Sequence, residues 1–394
     1  MSWVIFYKPI FLNQSIGLSA VQIGLLSTVT TISSVISPLA GGYLADRFGR
    51  KRVLMLFDSF GWLSSIIVWI VTQNLWFALI AYILESLTIV INSVWECMLV
   101  EDTTPKYRAG IFGVLAAIYS IGALSMPVAG YIIGLYGIDS GTRTLFIIAL
   151  AFMIPYVIIR QAFLQETELG KQIMKDKSFA GLEGYKSSLT MIKRSRVIFA
   201  LVLIAFFDIF YKASLTYLPL FLTRSNGLGL GDDIASFVPA ALSASGLIIA
   251  LIIVPRLSTR SGYTKTLSLG FGLGCISFLL LSYAPQGNLL VALVIGTIMG
   301  FHKGTWFSVS RTFLTNEIEV VNTKARAKIL SINLTLSSLF GLPVPVLMGY
   351  LFSFDPKLPF IIVSITLFAS LIALLFATRK ETHDIDGKEK LALK

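Results

Sequence analysis

Long apolar blocks alternate along this chain with short polar stretches that collect most of its charge. Crossing about 30 Å of hydrocarbon takes roughly 20 predominantly apolar residues in a helix, and only a helix or a closed barrel satisfies its own backbone in lipid. Eleven blocks meet this length, at residues 20–45, 53–73, 75–98, 109–136, 143–163, 197–222, 234–256, 266–284, 288–314, 327–353 and 358–378. A twelfth, residues 1–12 (MSWVIFYKPIFL), is apolar but too short to cross; it lacks the basic leader and the A-x-A-like cleavage site of a signal peptide. The pattern predicts a polytopic, all-α membrane protein.

Composition sharpens that reading by exclusion. Over 394 residues, hydrophobic residues make up 55% and charged residues 13%, with a mean hydropathy of +0.80. Soluble enzymes, disordered chains and coiled coils carry far more charge. Net charge is +11, but the basic residues sit in short loops, so lipid headgroups rather than nucleic acid are the expected partner. Two cysteines (Cys97, Cys275) and two histidines (His302, His383) leave no disulfide framework and no Cys- or His-built metal centre. Neither HExxH nor GxxxxGK[ST] occurs, which argues against a zinc protease and an ATP-driven pump, and no cofactor is expected.

Lys and Arg set the orientation, because cytoplasmic loops keep the positive charge. One alternating set of loops carries Arg47, Arg50, Lys51 and Arg52, then Lys106 and Arg108, the stretch from Lys171 to Arg196, then Arg256, Arg260 and Lys265, and finally Lys324, Arg326 and Lys328. The opposite loops carry only Arg143, Arg224 and Lys357. The basic side and both termini are therefore expected in the cytoplasm of a multi-pass cell-membrane protein. The loop 165–196 is the one candidate linker, either a solvated tether or, through its amphipathic patches, a surface-lying segment.

The two halves repeat. Pro9-Ile10-Phe11-Leu12, Ser15 and Gly17-Leu18 return as Pro219-Leu220-Phe221-Leu222, Ser225 and Gly227-Leu228, an offset of 210 (219 − 9). Leu44, Arg47, Gly49, Arg52 and Leu54 return as Leu257, Arg260, Gly262, Lys265 and Leu267, and Arg108-Ala109 and Pro127 as Arg326-Ala327 and Pro345. In order and with slowly drifting offsets, these matches predict a duplicated six-helix unit. The expected domains are 1–164, a linker 165–196, a second bundle 197–378 and a tail 379–394. The same offset puts the start of the first helix before residue 1, so that helix is expected to be truncated.

Between the second and third blocks, Gly42-Tyr-Leu-Ala-Asp46-Arg47-Phe-Gly49-Arg50-Lys51-Arg52 resembles the G-x-L-A-D-R-x-G-R-[RK] loop signature of the major facilitator superfamily. This resemblance implies a 12-helix fold of two pseudo-symmetric six-helix bundles, with a small-molecule substrate held near the midplane. It also implies that the first, fourth, seventh and tenth helices line a central cavity, and that Gly42, Asp46, Arg47, Gly49, Arg50 and Lys51 latch the bundles on the cytoplasmic side. Asp46 lies at a helix C-terminus, where the helix dipole disfavours a carboxylate, so it should seek an Arg or the N-terminus of the eleventh helix. An ordinary basic turn would explain the Arg and Lys but not the Gly–Asp spacing. The second copy has Thr259 in place of Asp46, which makes the latch one-sided. Gly113, Gly122, Pro127 and Gly130 in the fifth helix resemble the proline–glycine signature of the family's proton-coupled antiporters, with Met126 where a glycine is expected. A structural bend, as at Pro345, accounts for the proline equally well. The fourth helix carries Glu85 rather than the arginine of the drug antiporters.

A charge at the bilayer centre costs roughly 3 kcal/mol or more unless it meets a partner or a cavity. The midplane charges are Glu85, Asp208, Lys212, His302 and Lys303, all on the four helices that the resemblance assigns to the cavity. Asp208 and Lys212 are spaced for an intrahelical pair. Glu85 and Lys303, 218 apart (303 − 85), are expected to face one cavity from opposite bundles. His302, the midplane group with an ordinary pKa near neutrality, is a candidate for proton coupling or a packed histidine. Lys8 is expected to snorkel toward headgroups, and Asp58 and Arg160 to serve structure near the cytoplasmic ends. The resulting reading is a monomeric secondary transporter working by alternating access. Its substrate is an anion, a zwitterion or a polar neutral solute, with protons co-transported or exchanged. The alternatives are proton-antiport efflux of a drug or metabolite and a non-transporting membrane sensor; an intramembrane enzyme would need a nucleophile–base constellation that is not recognisable here.

Overall fold

The computed structural model describes residues 2–101, 118, 121–168, 171, 174, 192–253, 256, 257, 259–322 and 326–392. Every described element is helical. The first half comprises α1 (Ser2–Gln14), α2 (Ala20–Phe48), α3 (Arg50–Phe57), a π-helix at Asp58–Leu63, α4 (Ser64–Val71), α5 (Leu75–Ser86), α6 (Thr88–Glu101) and α7 (Met126–Phe163). The second comprises α8 (Arg196–Thr223), α9 (Phe237–Ile248), α10 (Arg260–Ser282), α11 (Leu289–Thr305), α12 (Arg311–Asn322), α13 (Arg326–Phe340), α14 (Val344–Phe354) and α15 (Leu358–Ala392). Further π-helices follow α9 at Ile249–Ile253 and α11 at Trp306–Ser310.

Among the described residues, seven helices are long and apolar enough to cross a bilayer, and three shorter apolar ones stand at Leu75–Ile91, Phe237–Ile253 and Leu289–Thr305. The expected count of twelve crossings is therefore met only in part by length. Of the three shorter ones, the first is interrupted at Leu87, the second closes on a π-turn and a π-turn follows the third. Conversely, the apolar helix Ile121–Phe163 runs 43 residues, and Gly137, at a φ of 73°, breaks it close to the expected gap between blocks.

Side-chain caps start the helices. Ser19 and Gln22 form a reciprocal capping box on α2. Asn74 and Asn288 cap α5 and α11 through their side-chain oxygens, an offset of 214 (288 − 74) that extends the internal repeat. Thr259 caps α10, whereas its counterpart Asp46 lies inside α2. The two copies of the loop signature thus fold differently.

The halves are tied together at the end that carries loops 15–19 and 224–236. The pseudo-equivalent tyrosines reach across in opposite directions: Tyr7 Oη donates to Asp232 O at 2.8 Å, and Tyr217 Oη lies 2.8 Å from Pro345 O and 3.3 Å from Ala20 O. Arg224 donates to Asn13 Oδ1 at 2.8 Å and Gln14 to Asp232 Oδ1 at 3.3 Å. Here α2 packs along α14, and glycine is required for the contact. A Cβ on Gly24 would stand 2.5 Å from Pro345 O, and one on Gly349 would stand 2.6 Å from Ala20 O.

Gly24→Leu should force this closed end open, so that a cysteine introduced by Ser27→Cys labels with impermeant maleimide from that face about tenfold faster than in the parent, the response to a shift of about 1.4 kcal/mol; unchanged labelling refutes the role of the crossing. Burial lifts the Asp232 carboxyl above its ordinary value, against the opposing hydrogen bond from Gln14. The closed form therefore holds a proton on Asp232 more tightly than an open loop would. Closure should strengthen on acidification and weaken as pH rises, and Asp232→Asn should flatten that dependence in the same labelling assay.

Candidate functional site

Between the halves lies a cavity of about 590 Å³, within the size range of small-ligand sites. Its walls come from α1, α2 and α5 on one side and from α8, the Trp306–Ser310 π-turn, α12 and α13 on the other. The Tyr217–Ala20–Pro345 contact closes it at one end, and it runs from there toward Ser34, Leu201 and Leu314, nearer the basic loops.

One wall holds a buried ion pair. Lys8 Nζ donates to both Glu85 oxygens at 2.7 Å, and Trp69 Nε1 donates to Glu85 Oε2 at 3.1 Å. The ammonium also lies 5.0 Å from the ring centres of Trp69 and Tyr82, so π-faces replace part of its lost hydration. Trp69 is fixed in turn by stacking on Phe146 at 5.6 Å. Lys8 is 6% exposed, which corrects the expectation that it snorkels. The helix carries on to Gln14 and presents Lys8 to the bundle, where Glu85 and the aromatic rings stand in for water.

The opposite wall carries Asp208 and Lys212, paired at 2.7 Å as their spacing predicted. The members differ in exposure: the Asp208 side chain is 4% exposed and that of Lys212 69%. Asp208 Oδ1 is buried with no hydrogen-bond partner among the described residues.

The Major Facilitator Superfamily model matches residues 1–319 and 225–393. The chain belongs to that superfamily. Its relatives include an uncharacterized MFS-type transporter, YqjV, of Bacillus subtilis, 29% identical over 156 residues, which are 39% of this chain and 35% of the relative. The cis,cis-muconate transport protein of Acinetobacter baylyi is 26% identical over 76% of this chain and 71% of its own. The fold matches the crystal structure of a mutant of the nucleoside transporter NupG with a TM-score of 0.70 over 96% of both chains, at 14% identity.

Within this superfamily member, the sequence-derived residues divide. Glu85, Asp208 and Lys212 line the cavity; His302 and Lys303 do not. The expectation that Glu85 and Lys303 share one cavity is corrected here: Lys303 Nζ lies 3.4 Å from Ser243 Oγ on α9. The π-turn at Trp306–Ser310 adds a residue to the helical repeat, so Trp306 and Ser310 reach the cavity while the turn before them faces elsewhere. His302 is 1% exposed and packs edge-on against Tyr211 at 5.0 Å. Neither of its ring nitrogens has a hydrogen-bond partner among the described residues.

In the loop signature, Gly49 turns the chain between α2 and α3 with a φ of 91°, and a Cβ there would stand 2.8 Å from Glu166 Oε2. That carboxylate accepts from Lys51 N at 2.9 Å and so caps the start of α3. Arg47 bonds Tyr43 Oη at 2.6 Å, and Arg50 is buried. The side chain of Asp46 lies outside the described residues, as does Gly113, and Gly42 is described only as backbone in α2. Pro127 falls in the first turn of α7, where its missing N–H is harmless. Gly122 O accepts from Ser125 Oγ. At Gly130 a Cβ would clash with Asp233 O of the other half, so the small residue serves contact between the halves.

Sequence reasoning missed a polar stripe. Ser27, Thr30, Thr31 and Ser34 face the cavity from α2, with Asn333 and Ser337 opposite on α13. Their helical spacing within apolar blocks was the available signal.

Lys8→Met should destabilise the protein by about 3 kcal/mol, because the Glu85 charge is left without its counter-ion. The double variant Lys8→Met/Glu85→Gln should lose less than the single one. Thermal unfolding in detergent measures both, and additive losses would refute the coupling.

Proposed function

We propose that this protein is a secondary carrier that moves a small polar solute across the cell membrane by alternating access, coupled to protons, as a monomer with its basic loops and both termini in the cytoplasm. The observation that carries the reading is a cavity at the meeting of the halves, lined by two ion pairs and a stripe of hydroxyls and closed at one end by the crossing of α2 and α14. Carriers with duplicated folds place their site at such an interface. Two ion pairs in an apolar slab support coupling, since ionisable groups kept at membrane depth mark substrate and proton paths. The relative named for cis,cis-muconate transport is consistent with a polar organic solute.

Glu85 and Asp208 are the proposed proton-binding groups, with Lys212 a substrate contact. The loop Gly42–Lys51 is the proposed latch, its glycine turn already braced by Glu166. His302, packed away from the cavity, stands as a proton-path residue only through Asp208 and Tyr211. Efflux by proton antiport uses the same groups, and the Gly130–Asp233 contact between the halves suits it.

Proteoliposomes with an imposed pH gradient test the reading. In the parent, uptake should follow the gradient. Asp208→Asn or Glu85→Gln should lower gradient-driven uptake at least tenfold, a loss of about 1.4 kcal/mol or more, and leave counterflow exchange intact. Loss of both modes assigns the acid to substrate binding, and gradient-independent flux removes the proton. Flux that grows when the inside is alkaline indicates symport inward, and the opposite sign indicates efflux.

A further inference from the structure

We infer that the cavity takes a small hydroxylated monocarboxylate, its carboxylate on Lys212 and its hydroxyl groups against the α2 and α13 walls. This rests on the carrier reading above and adds its substrate class.

Charge is the first argument. Both Glu85 oxygens are held by Lys8, and Trp69 adds a third bond. Asp208 turns one oxygen to Lys212 and buries the other. Of the four charged side chains on the cavity, the Lys212 ammonium alone is mostly exposed. An ammonium has three donors, and Asp208 Oδ2 is its one ion-pair partner among the described residues. Lys212 lines the cavity with its side chain 69% exposed, so the charged group an entering solute can touch is this ammonium, with the paired carboxylate behind it. A phosphate or dicarboxylate would need a second cation or a bidentate guanidinium, and no arginine lines this cavity among the described residues.

The second argument is hydrogen-bond polarity. Ser27 Oγ donates to Ile23 O, Ser34 Oγ to Thr30 O and Ser310 Oγ to Trp306 O. With its proton committed to the helix, each hydroxyl offers the cavity only lone pairs. On the α13 wall Asn333 brings amide donors as well as its oxygen and Ser337 a hydroxyl that can give or accept, neither Asn333 Oδ1 nor Ser337 Oγ having a partner among the described residues. Such walls both accept and donate, and so pair with hydroxyl groups, which do the same. A hydroxyl-bearing body with one carboxylate meets both conditions. A simple fatty acid lacks the donors, and a polyol lacks the anion.

Binding to the purified full-length protein in detergent, followed by proteoliposome uptake, tests this with D-gluconate, the neutral polyol sorbitol and hexanoate as matched probes. Saturable gluconate binding is expected, with sorbitol and hexanoate each at least tenfold weaker. Lys212→Gln should abolish the preference for gluconate over sorbitol, while Lys212→Arg keeps it, both variants eluting as monodisperse protein. No gluconate binding at millimolar concentration, or an unchanged preference in Lys212→Gln, overturns the substrate class. Saturable transport of sorbitol with no gluconate binding also overturns it while leaving the carrier intact. Gluconate that binds but is never transported supports the ligand class and overturns the carrier reading instead.

Discussion

The architecture depends on one crossing, where α2 meets α14 with glycines in place of side chains and the Tyr217 hydroxyl set between two backbone carbonyls. That hydroxyl stands 2.6 Å from where a Cβ on either Gly24 or Gly349 would lie, so it occupies the room the glycines leave. A phenol has one proton to give, and the shorter distance assigns it to Pro345 O. The crossing is close-packed, with Ile23, Leu26, Val344 and Met348 buried in the core around that hydroxyl. Away from the crossing, Trp69 against Phe146 and Phe221 against Phe360 bury large rings within each half.

A second constraint follows from the surrounding lipid. Charge persists in an apolar slab only where it is compensated, and the pairs Lys8–Glu85, Asp208–Lys212 and Asp58–Arg160 obey this. They do so to different ends. Asp58 and Arg160 are 1% and 9% exposed, with the guanidinium over the Trp95 ring at 4.5 Å, and tie the π-turn of the third block to α7. Lys8 and Glu85 form a wall. In the pair Asp208–Lys212 the acid is buried and the base left in the open, so the ammonium is the member the cavity exposes.

The helical plan was legible because hydrophobic periodicity and block length are local properties, and lipid permits few alternatives. The Asp208–Lys212 pair was legible for the same reason: spacing of four on one helix settles it. Lys8–Glu85 was not, since the two lie 77 positions apart and their meeting depends on how α1 and α5 pack. Lys303 misled because pairing by repeat offset assumes equal register, whereas Glu85 stands 11 residues past its cap Asn74 (85 − 74) and Lys303 stands 15 past its cap Asn288 (303 − 288). The α2 hydroxyls were present in the sequence at helical spacing. Serine and threonine pass within apolar blocks without breaking them, so charge alone drew attention.

Duplication explains which features recur and which do not. Tyr7 and Tyr217 both bring a hydroxyl to backbone of the opposite half, Asn74 and Asn288 both cap, and α5 and α11 are both interrupted just past pseudo-equivalent positions. These devices serve the backbone, and either copy needs them to fold. The charged positions do not recur: Leu218 stands at the offset of 210 from Lys8, and Lys303 answers Glu85 with the opposite sign. Two identical walls would give a cavity the same charge on both faces, which suits no asymmetric solute. Divergence at these positions left one wall with a closed ion pair and the other with a pair whose ammonium stands open to the cavity, so the two walls present unlike groups to whatever enters.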